Sequence, residues 1–298
     1  MSNVEPRFGR LITAMVTPFN DERELDLDRA QALATRLIEG GNDSLIINGT
    51  TGESPTVFYP QKIELFHAVV EAIGGKAPVI ANVGDNCTAD TVDFAKDVAK
   101  LGVDGFMCVV PYYNKPPQEG MYQHFKTIAD AVELPIILYN IPGRCVVNME
   151  AETTLRLAND CENVIAVKEA SGKMDQIATI AAAAPEGFSV YSGDDSATYD
   201  VMRLGGAGVI STTGNVAPER MKELVTKCAE GKWDEAWAAH EALLPLMNGL
   251  FETSNPILVK EALKLVGFPV GGVRLPLIDA TAEQSARLAS IMREVGVL

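Results

Sequence analysis

Lys168 is the residue in this chain whose type and position could carry covalent chemistry. It ends the apolar segment 164–168, and side chains alternate between the two faces of a strand, so Val164, Ala166 and Lys168 should share one face. An amine that faces an apolar interior loses hydration and its pKa falls, so its neutral form can add to a ketone and give an iminium. A structural lysine, exposed at the strand end or paired with Glu169, fits its type and position equally well.

Hydroxyl groups follow two other apolar segments. Tyr139 shares a strand face with Ile137, and its hydroxyl could transfer protons while a Schiff base forms. Thr50 and Thr51 lie in a glycine-flanked turn whose backbone N–H groups could hold a carboxylate. The alternative for this turn is a helix cap, with Glu53 at the third position as in a capping box.

A cation and two aromatic side chains follow further segments. Arg144 comes directly after Pro142 and Gly143, and a guanidinium in a turn can bind a carboxylate through two hydrogen bonds. A surface arginine is the alternative. Tyr112 and Tyr113 could contribute to a site or form a contact between subunits, and these two interpretations are compatible.

Composition and charge limit the classes of function. The chain has 298 residues, 47% of them hydrophobic and 22% charged, which is typical of a soluble globular protein. A formal net charge of -15, without a run of Lys or Arg, argues against a nucleic-acid partner. The five cysteines are scattered and indicate no disulfide framework, and no apolar stretch approaches the roughly 18 residues of a membrane span. We therefore expect a cytoplasmic protein without a membrane partner.

Metal and nucleotide cofactors are not indicated by the sequence. His67, His124 and His240 fall in segments with helical periodicity, and no histidine and carboxylate cluster accompanies them. Metal-dependent aldol chemistry is therefore disfavoured. No glycine-rich phosphate-binding motif follows a predicted strand. We expect a site without a metal ion or a cofactor.

Short apolar segments alternate with longer amphipathic ones, a pattern typical of parallel β/α units. Strands that are apolar throughout are buried on both faces, which favours a closed eight-stranded β/α barrel (a TIM barrel) over a doubly wound sheet. The carboxyl ends of barrel strands meet at one mouth, so the residues named above should converge there. The eight predicted strands are 11–16, 44–47, 78–83, 105–110, 135–139, 164–168, 188–192 and 206–211.

The strand pattern stops after about residue 215 and gives way to helical segments at 218–230, 233–248, 256–266 and 282–295. We divide the chain into a catalytic barrel, residues 1–230, and a C-terminal helical domain, residues 231–298. No linker rich in Gly, Ser or Pro separates the two parts. The helices should therefore pack against the barrel or against a neighbouring subunit.

Taken together, these motifs resemble those of the dihydrodipicolinate synthase family, whose members belong to the Schiff-base-forming lyases. The similar segments are 49–53 (GTTGE), 111–114 (PYYN), 139–142 (YNIP) with Arg144, and 168–172 (KEASG). The similarity continues through 192–195 (SGDD), 208–211 (GVIS), 255–256 (NP) and 274–276 (RLP), and so covers nearly the whole chain. Five ordered motifs at the ends of predicted strands make a chance match improbable.

The resemblance implies a barrel with C-terminal helices that condenses pyruvate with L-aspartate 4-semialdehyde in lysine and diaminopimelate synthesis. It also implies a homotetramer built as a pair of tight dimers, with pyruvate held on Lys168 as a Schiff base. Proton transfer would fall to Tyr139, Thr50 and the Tyr113 of a neighbouring subunit. The implied substrate contacts are Thr51 for the pyruvate carboxylate, Gly193 and Ile210 in the same pocket, and Arg144 for the semialdehyde carboxylate.

The chain departs from its relatives at positions that concern regulation. In lysine-inhibited relatives a dimer-interface site uses positions that match Ser54, Pro55, Tyr59, Lys62, Asn86, Asp90 and Tyr112. Lys62 stands where those relatives have a histidine, and Asp90 is shorter than their glutamate. A fixed cation at Lys62 would repel the ammonium groups of bound lysine, so we expect weak or absent feedback inhibition.

Two other functions compete with this one. N-acetylneuraminate lyase and the keto-deoxy-sugar acid aldolases share the lysine and the tyrosine, but sialate lyases typically have Ser at the position of Thr50 and lack the arginine. A barrel that only binds a pyruvate-like ligand would be indicated by loss of Lys168 or Tyr139, and both are present.

Overall fold

Eight parallel strands close into a barrel in the computed structural model, which describes residues 5–298. Each strand pairs with the next, and the last pairs with the first. The predicted barrel is confirmed, and the predicted strand ends differ from the observed ones by at most two residues. The strands are β1 (Leu11–Ala14), β2 (Ser44–Ile47), β3 (Val79–Asn82), β4 (Gly105–Val109), β5 (Ile136–Asn140), β6 (Val164–Glu169), β7 (Ser189–Ser192) and β8 (Gly208–Ser211).

Helices cover the outside of the barrel because their apolar faces need burial against the strands. Asp26 caps the first of them by accepting a hydrogen bond from the backbone N–H of Arg29. The outer helices are α1 (Leu27–Glu39), α2 (Tyr59–Ile73), α3 (Thr88–Val98), α4 (Gln118–Ala131), α6 (Ala151–Asp160), α7 (Met174–Ala183), α8 (Thr198–Arg203) and α9 (Pro218–Ala229), and a short α5 (Pro142–Cys145) follows β5. Three more helices complete the chain: α10 (Trp233–Gly249), α11 (Ile257–Leu265) and α12 (Ala282–Glu294).

Two apolar clusters fill the molecule. The larger lies between strands and helices, and the smaller fills the inside of the barrel. No helix among residues 5–298 is long and apolar enough to cross a membrane. The interior cluster contains Phe8, Ile12, Ala14, Ile46, Ile80, Met107, Ile137, Tyr139, Ala166, Tyr191 and Ile210.

The strand β6 contains an irregularity that sequence alternation does not reveal. Its register with β5 shifts, since Ile136 pairs with Val164 whereas Ile137 pairs with Ala166. An extra residue in one strand reverses the alternation of faces. Val164 therefore lies in the outer cluster, and the expectation that it shares the face of Lys168 was wrong. Ala166 faces the interior as expected.

The C-terminal helices are attached to the barrel through a buried ion pair. Lys260 of α11 lies 2.6 Å from Glu53, which follows β2, and both side chains are 2% exposed. The same Glu53 carboxylate accepts a hydrogen bond from the backbone N–H of Arg274 at 2.9 Å. The helical segment therefore packs against the barrel, as the absence of a linker indicated.

Lys260→Met should destabilise the protein, because it leaves the Glu53 carboxylate buried without its cation. Loss of one partner of a buried pair costs about 3–5 kcal/mol, whereas replacing both partners costs less. We expect a lower thermal midpoint for Lys260→Met and partial recovery in Glu53→Gln/Lys260→Met, measured by circular dichroism at one protein concentration.

Lys126→Met is the matched control. Lys126 pairs with Asp130 on the exposed surface of α4, where ion pairs contribute little to stability. Its thermal midpoint should equal that of the wild type. A Lys260→Met midpoint as high as that of the control would show that the buried pair contributes no stability.

Candidate active site

Lys168 lies at the carboxyl end of β6, inside the barrel and only 6% exposed. Its Nζ is 4.4 Å from the centre of the Tyr139 ring, on the neighbouring strand β5. Burial lowers the pKa of Lys168 to about 8; the charge of Asp195 opposes this shift and that of Arg144 adds to it. The amine therefore reaches its neutral, nucleophilic form near physiological pH.

Glu169 does not neutralise Lys168. Its side chain is buried on the opposite face of β6, where the carboxylate accepts hydrogen bonds from Asn140 and Gln176 at 3.0–3.1 Å. Among the ion pairs of residues 5–298, none includes Lys168. The alternative of a structural lysine paired with Glu169 is therefore excluded by the geometry.

Tyr139 supplies a proton-bearing hydroxyl beside the amine. It is 3% exposed, and burial raises its pKa to about 12, although the neighbouring Thr50 hydroxyl and the Arg144 cation oppose the rise. The phenol therefore stays protonated at neutral pH. The same desolvation makes the neutral form of the lysine accessible near pH 8 and keeps the tyrosine protonated, which suits a nucleophile next to a proton donor.

The turn after β2 does not cap a helix through its threonines. A short 3-10 helix over Ser54–Thr56 begins after Glu53, without a side-chain cap, and Glu53 itself adopts a left-handed backbone with φ of 56°. Its carboxylate is engaged by Lys260, so the capping-box interpretation was wrong. The Oγ1 atom of Thr51 accepts a hydrogen bond from Asn255 Nδ2 at 2.8 Å.

Backbone geometry brings β7 close to β6 at the mouth. The N–H of Gly193 donates to the Glu169 carbonyl at 2.8 Å, and a Cβ at position 193 would lie 2.7 Å from the Cβ of Ala170. A side chain at this position would clash, so glycine is required there. Ile210 of β8 faces the barrel interior opposite Ile12.

Asp195 organises the ends of β7 and β8, a role that sequence reasoning missed. This buried carboxylate accepts hydrogen bonds from the hydroxyl of Ser211, the N–H groups of Thr212 and Thr213, and the Thr213 hydroxyl. Asn255 was likewise recognised only as part of the motif at 255–256, without a role of its own. The sequence signals for these roles were an acidic residue after a predicted strand, for Asp195, and an asparagine before a proline, for Asn255. Neither signal identifies the residues that the side chain contacts.

A cavity of about 390 Å3 is lined by Tyr139, which contacts Lys168, but not by Lys168 itself. Arg144, which lies on the short helix α5 and is exposed, lines it together with Thr50 and Tyr139. Its guanidinium thus provides the local cation that an acidic protein needs to hold an anionic substrate. The remaining lining residues are Ser54, Pro55, Val57, Lys62, Asn82, Gly84, Asp85, Val109, Tyr112, Ile141 and Cys145.

The seven residues matched to a regulatory site lie in or next to this cavity. Four of them line it: Ser54, Pro55, Lys62 and Tyr112. Tyr59 and Asp90 line an adjoining cavity of about 310 Å3 that also contains Lys62. Asn86 donates a hydrogen bond to the Tyr112 carbonyl at 3.1 Å.

Tyr113 is the one proposed catalytic residue that stands apart. It is 88% exposed, has a φ of 72°, and does not line the cavity that contains Tyr139. Tyr113 is thus exposed to solvent, whereas Lys168 is buried inside the barrel. Among residues 5–298, no group of three or more His, Cys, Asp or Glu side chains is arranged to hold a metal ion.

The chain is similar to many proteins of one kind. It is 52% identical over 280 residues to 4-hydroxy-tetrahydrodipicolinate synthase 1 of Halalkalibacterium halodurans, a match that covers 94% of this chain and 95% of that protein. It is also 52% identical over 292 residues to the 4-hydroxy-tetrahydrodipicolinate synthase of Moorella thermoacetica, covering 98% and 100%.

Solved structures and a family model agree with these relatives. The structure of DHDPS from Cyanidioschyzon merolae with lysine bound superposes with a TM-score of 0.97 at 45% identity, covering 99% of this chain and 100% of that one. The model of the Dihydrodipicolinate synthetase family matches residues 7–295. The chain therefore belongs to the dihydrodipicolinate synthetase family.

Proposed function

We propose that this chain is a lyase that condenses pyruvate with L-aspartate 4-semialdehyde to 4-hydroxy-tetrahydrodipicolinate, in the synthesis of diaminopimelate and lysine. The observation that carries the proposal is the desolvated amine of Lys168 against Tyr139, a residue that lines a cavity together with Arg144. The names of the relatives state the same product. The reaction needs no cofactor, because the iminium itself acts as the electron sink.

The first half of the reaction takes place at Lys168. Its neutral Nζ adds to the ketone carbon of pyruvate, and loss of water from the carbinolamine leaves an iminium. Tyr139 stays protonated and can donate the proton that the departing hydroxide needs. We assign the pyruvate carboxylate to Thr51, with Gly193 and the Ile210 backbone completing the pocket.

The second half of the reaction requires that C3 of the bound pyruvate become a nucleophile and that a second site bind the carboxylate of the semialdehyde. Loss of a C3 proton turns the iminium into an enamine, which attacks the aldehyde carbon of the semialdehyde. Arg144 at the cavity edge binds the carboxylate of that substrate through a charge-assisted hydrogen bond. The substrate amine then displaces Lys168 as the ring closes, which regenerates the free lysine.

Proton transfer is assigned to Tyr139, Thr50 and the Tyr113 of a neighbouring subunit, so the active form is an oligomer, which we propose to be a homotetramer. The exposure of Tyr113 supports this assignment, because an 88% exposed aromatic side chain is free to enter a partner's site. One neighbouring structure, 42% identical with a TM-score of 0.95, is described as a monomeric dihydrodipicolinate synthase variant. We place the enzyme in the cytoplasm, where its free cysteines stay reduced.

N-acetylneuraminate lyase activity is the rival within the same chemistry. Thr50 and Arg144 both line the cavity, and both favour the synthase. Turnover of L-aspartate 4-semialdehyde with pyruvate should therefore exceed cleavage of N-acetylneuraminate by several orders of magnitude. Equal or greater cleavage would reverse the assignment of the substrate.

Incubation with pyruvate followed by borohydride should add a 1-carboxyethyl group to Lys168, because reduction traps the iminium. Peptide mapping by mass spectrometry locates the adduct. Lys168→Arg should carry no adduct, whereas Lys173→Met, which removes the nearby exposed lysine, should be labelled like the wild type. An unlabelled wild-type protein would remove the Schiff-base mechanism altogether.

The rate of adduct formation should rise with pH through about 8, because the protonated amine that dominates below the pKa of Lys168 cannot attack a ketone. Arg144→Met removes a positive charge that lowers this pKa. In this variant the pKa of Lys168 should therefore rise, and the curve of adduct-formation rate against pH should move to higher pH. Quenched-flow borohydride trapping of the pyruvate half-reaction measures both curves.

Arg293→Met is the control for that profile, since Arg293 lies in the last turn of α12 and does not line the cavity. Its curve should coincide with that of the wild type. A shift of the Arg144→Met curve to lower pH would contradict the electrostatic assignment.

Free L-lysine at submillimolar concentration should leave turnover almost unchanged. Burial lowers the pKa of Lys62, but Asp85 opposes the shift, and a cation at Lys62 repels the ammonium groups of lysine. Lys62→His should increase the inhibition, as measured in steady-state assays with and without lysine. Inhibition is a real alternative, because the related structure from Cyanidioschyzon merolae has lysine bound. Strong inhibition of the wild type would contradict the proposed role of Lys62.

A further inference from the structure

Asn255 connects the C-terminal helical region with the turn after β2. It lies between α10 and α11, is 6% exposed, and its Nδ2 donates a 2.8 Å hydrogen bond to Thr51 Oγ1. The two residues are 204 positions apart in the chain. A side chain of the C-terminal region therefore reaches a residue that we assign to the pyruvate carboxylate.

The direction of this hydrogen bond decides what Thr51 can do. A threonine hydroxyl has one proton to donate and can accept two hydrogen bonds. When Asn255 donates to the oxygen, the proton of Thr51 has to point elsewhere. Among the described residues, the other hydrogen-bonding group near the Thr51 hydroxyl is the Thr212 hydroxyl at 3.5 Å, which is too distant to hold that proton firmly. The proton is therefore free for a ligand at the barrel mouth.

Two further attachments fix the position of Asn255. Lys260, on the helix that follows it, pairs with Glu53 at 2.6 Å in a buried environment. Arg274 donates from its backbone N–H to Glu53 at 2.9 Å and from Nη1 to the Thr56 carbonyl at 2.7 Å. These contacts hold the turn at residues 50–56 and the C-terminal segment together on both sides of the hydrogen bond between Asn255 and Thr51.

We propose that Asn255 is a positioning residue for pyruvate binding: it holds the Thr51 hydroxyl as a hydrogen-bond donor toward the substrate carboxylate. This inference rests on the proposed function, since it assumes that Thr51 binds that carboxylate. Asn255 acts through Thr51 rather than on the reacting atoms. Its loss should therefore raise the KM for pyruvate and leave kcat at saturating pyruvate nearly unchanged.

Asn255→Asp should have the largest effect, because a carboxylate of the same shape accepts hydrogen bonds but does not donate them. It would draw the Thr51 proton away from pyruvate and add a repelling negative charge. We expect the KM for pyruvate to rise roughly ten- to a hundredfold, the range for loss of a hydrogen bond to a charged group. Asn255→Ala, which leaves the hydroxyl free to rotate, should show a smaller rise. Ser254→Ala, the exposed neighbour, should behave like the wild type.

The opposite polarity, in which Thr51 donates to Asn255 Oδ1, predicts that Asn255→Ala frees the Thr51 proton for pyruvate and does not raise the KM, whereas the added charge of Asn255→Asp raises it under either polarity. A folded Asn255→Ala variant with the wild-type KM would overturn the proposal. Thr51→Val provides a second test. With the hydroxyl absent, adding Asn255→Ala should change the KM by less than about twofold, because residues that act through one contact are not additive. Fully multiplicative effects of the two substitutions would also overturn the proposal.

Borohydride trapping separates this inference from the proposed function. Titrating pyruvate while trapping the adduct on Lys168 gives the half-saturating concentration for each variant without the second substrate. A wild type that forms no adduct contradicts the proposed function. A wild type that forms the adduct, with Asn255→Ala saturating at the same pyruvate concentration, contradicts the role of Asn255 alone.

Discussion

The pairing of β8 with β1 is the interaction on which the rest of the structure depends, because it closes a parallel sheet into a barrel whose interior excludes water. Lys168 and Tyr139 end two adjacent strands inside that enclosure. Burial disfavours the charged form of any group, so it lowers the pKa of the lysine to about 8 and raises that of the tyrosine to about 12. One physical cause thus brings the neutral form of the nucleophile within reach near pH 8 and keeps the proton donor protonated.

The C-terminal helices extend this enclosure rather than merely covering the barrel. The buried pair of Glu53 with Lys260 fixes the turn that carries Thr50 and Thr51, and Asn255 contacts Thr51 directly. A buried ion pair contributes little net stability compared with apolar packing, but it tolerates few alternative geometries. Its value here lies in fixing the position of a turn that has to present hydroxyl groups within hydrogen-bond distance of a substrate.

One cavity contains both residues assigned to catalysis and residues matched to the regulatory site, which belong to different sequence motifs. Thr50, Tyr139 and Arg144 line it, and so do Lys62 and Tyr112. A ligand bound near Lys62 would thus lie in the same cavity as the groups assigned to catalysis. A short path of this kind allows a change of charge at Lys62 to influence binding at Arg144 without a large conformational change.

The amino-acid pattern was enough to predict the barrel, the positions of its strands and the placement of Lys168 and Tyr139 at its mouth, because burial on both faces leaves a local apolar pattern. Tertiary structure alone decided that Val164 faces outward, because a register shift between β5 and β6 is set by pairing and not by alternation. The tertiary structure also pairs Glu53 with Lys260 and places Asn255 within hydrogen-bond distance of Thr51. These contacts join residues about two hundred positions apart, and local periodicity carries no information about which distant residues meet.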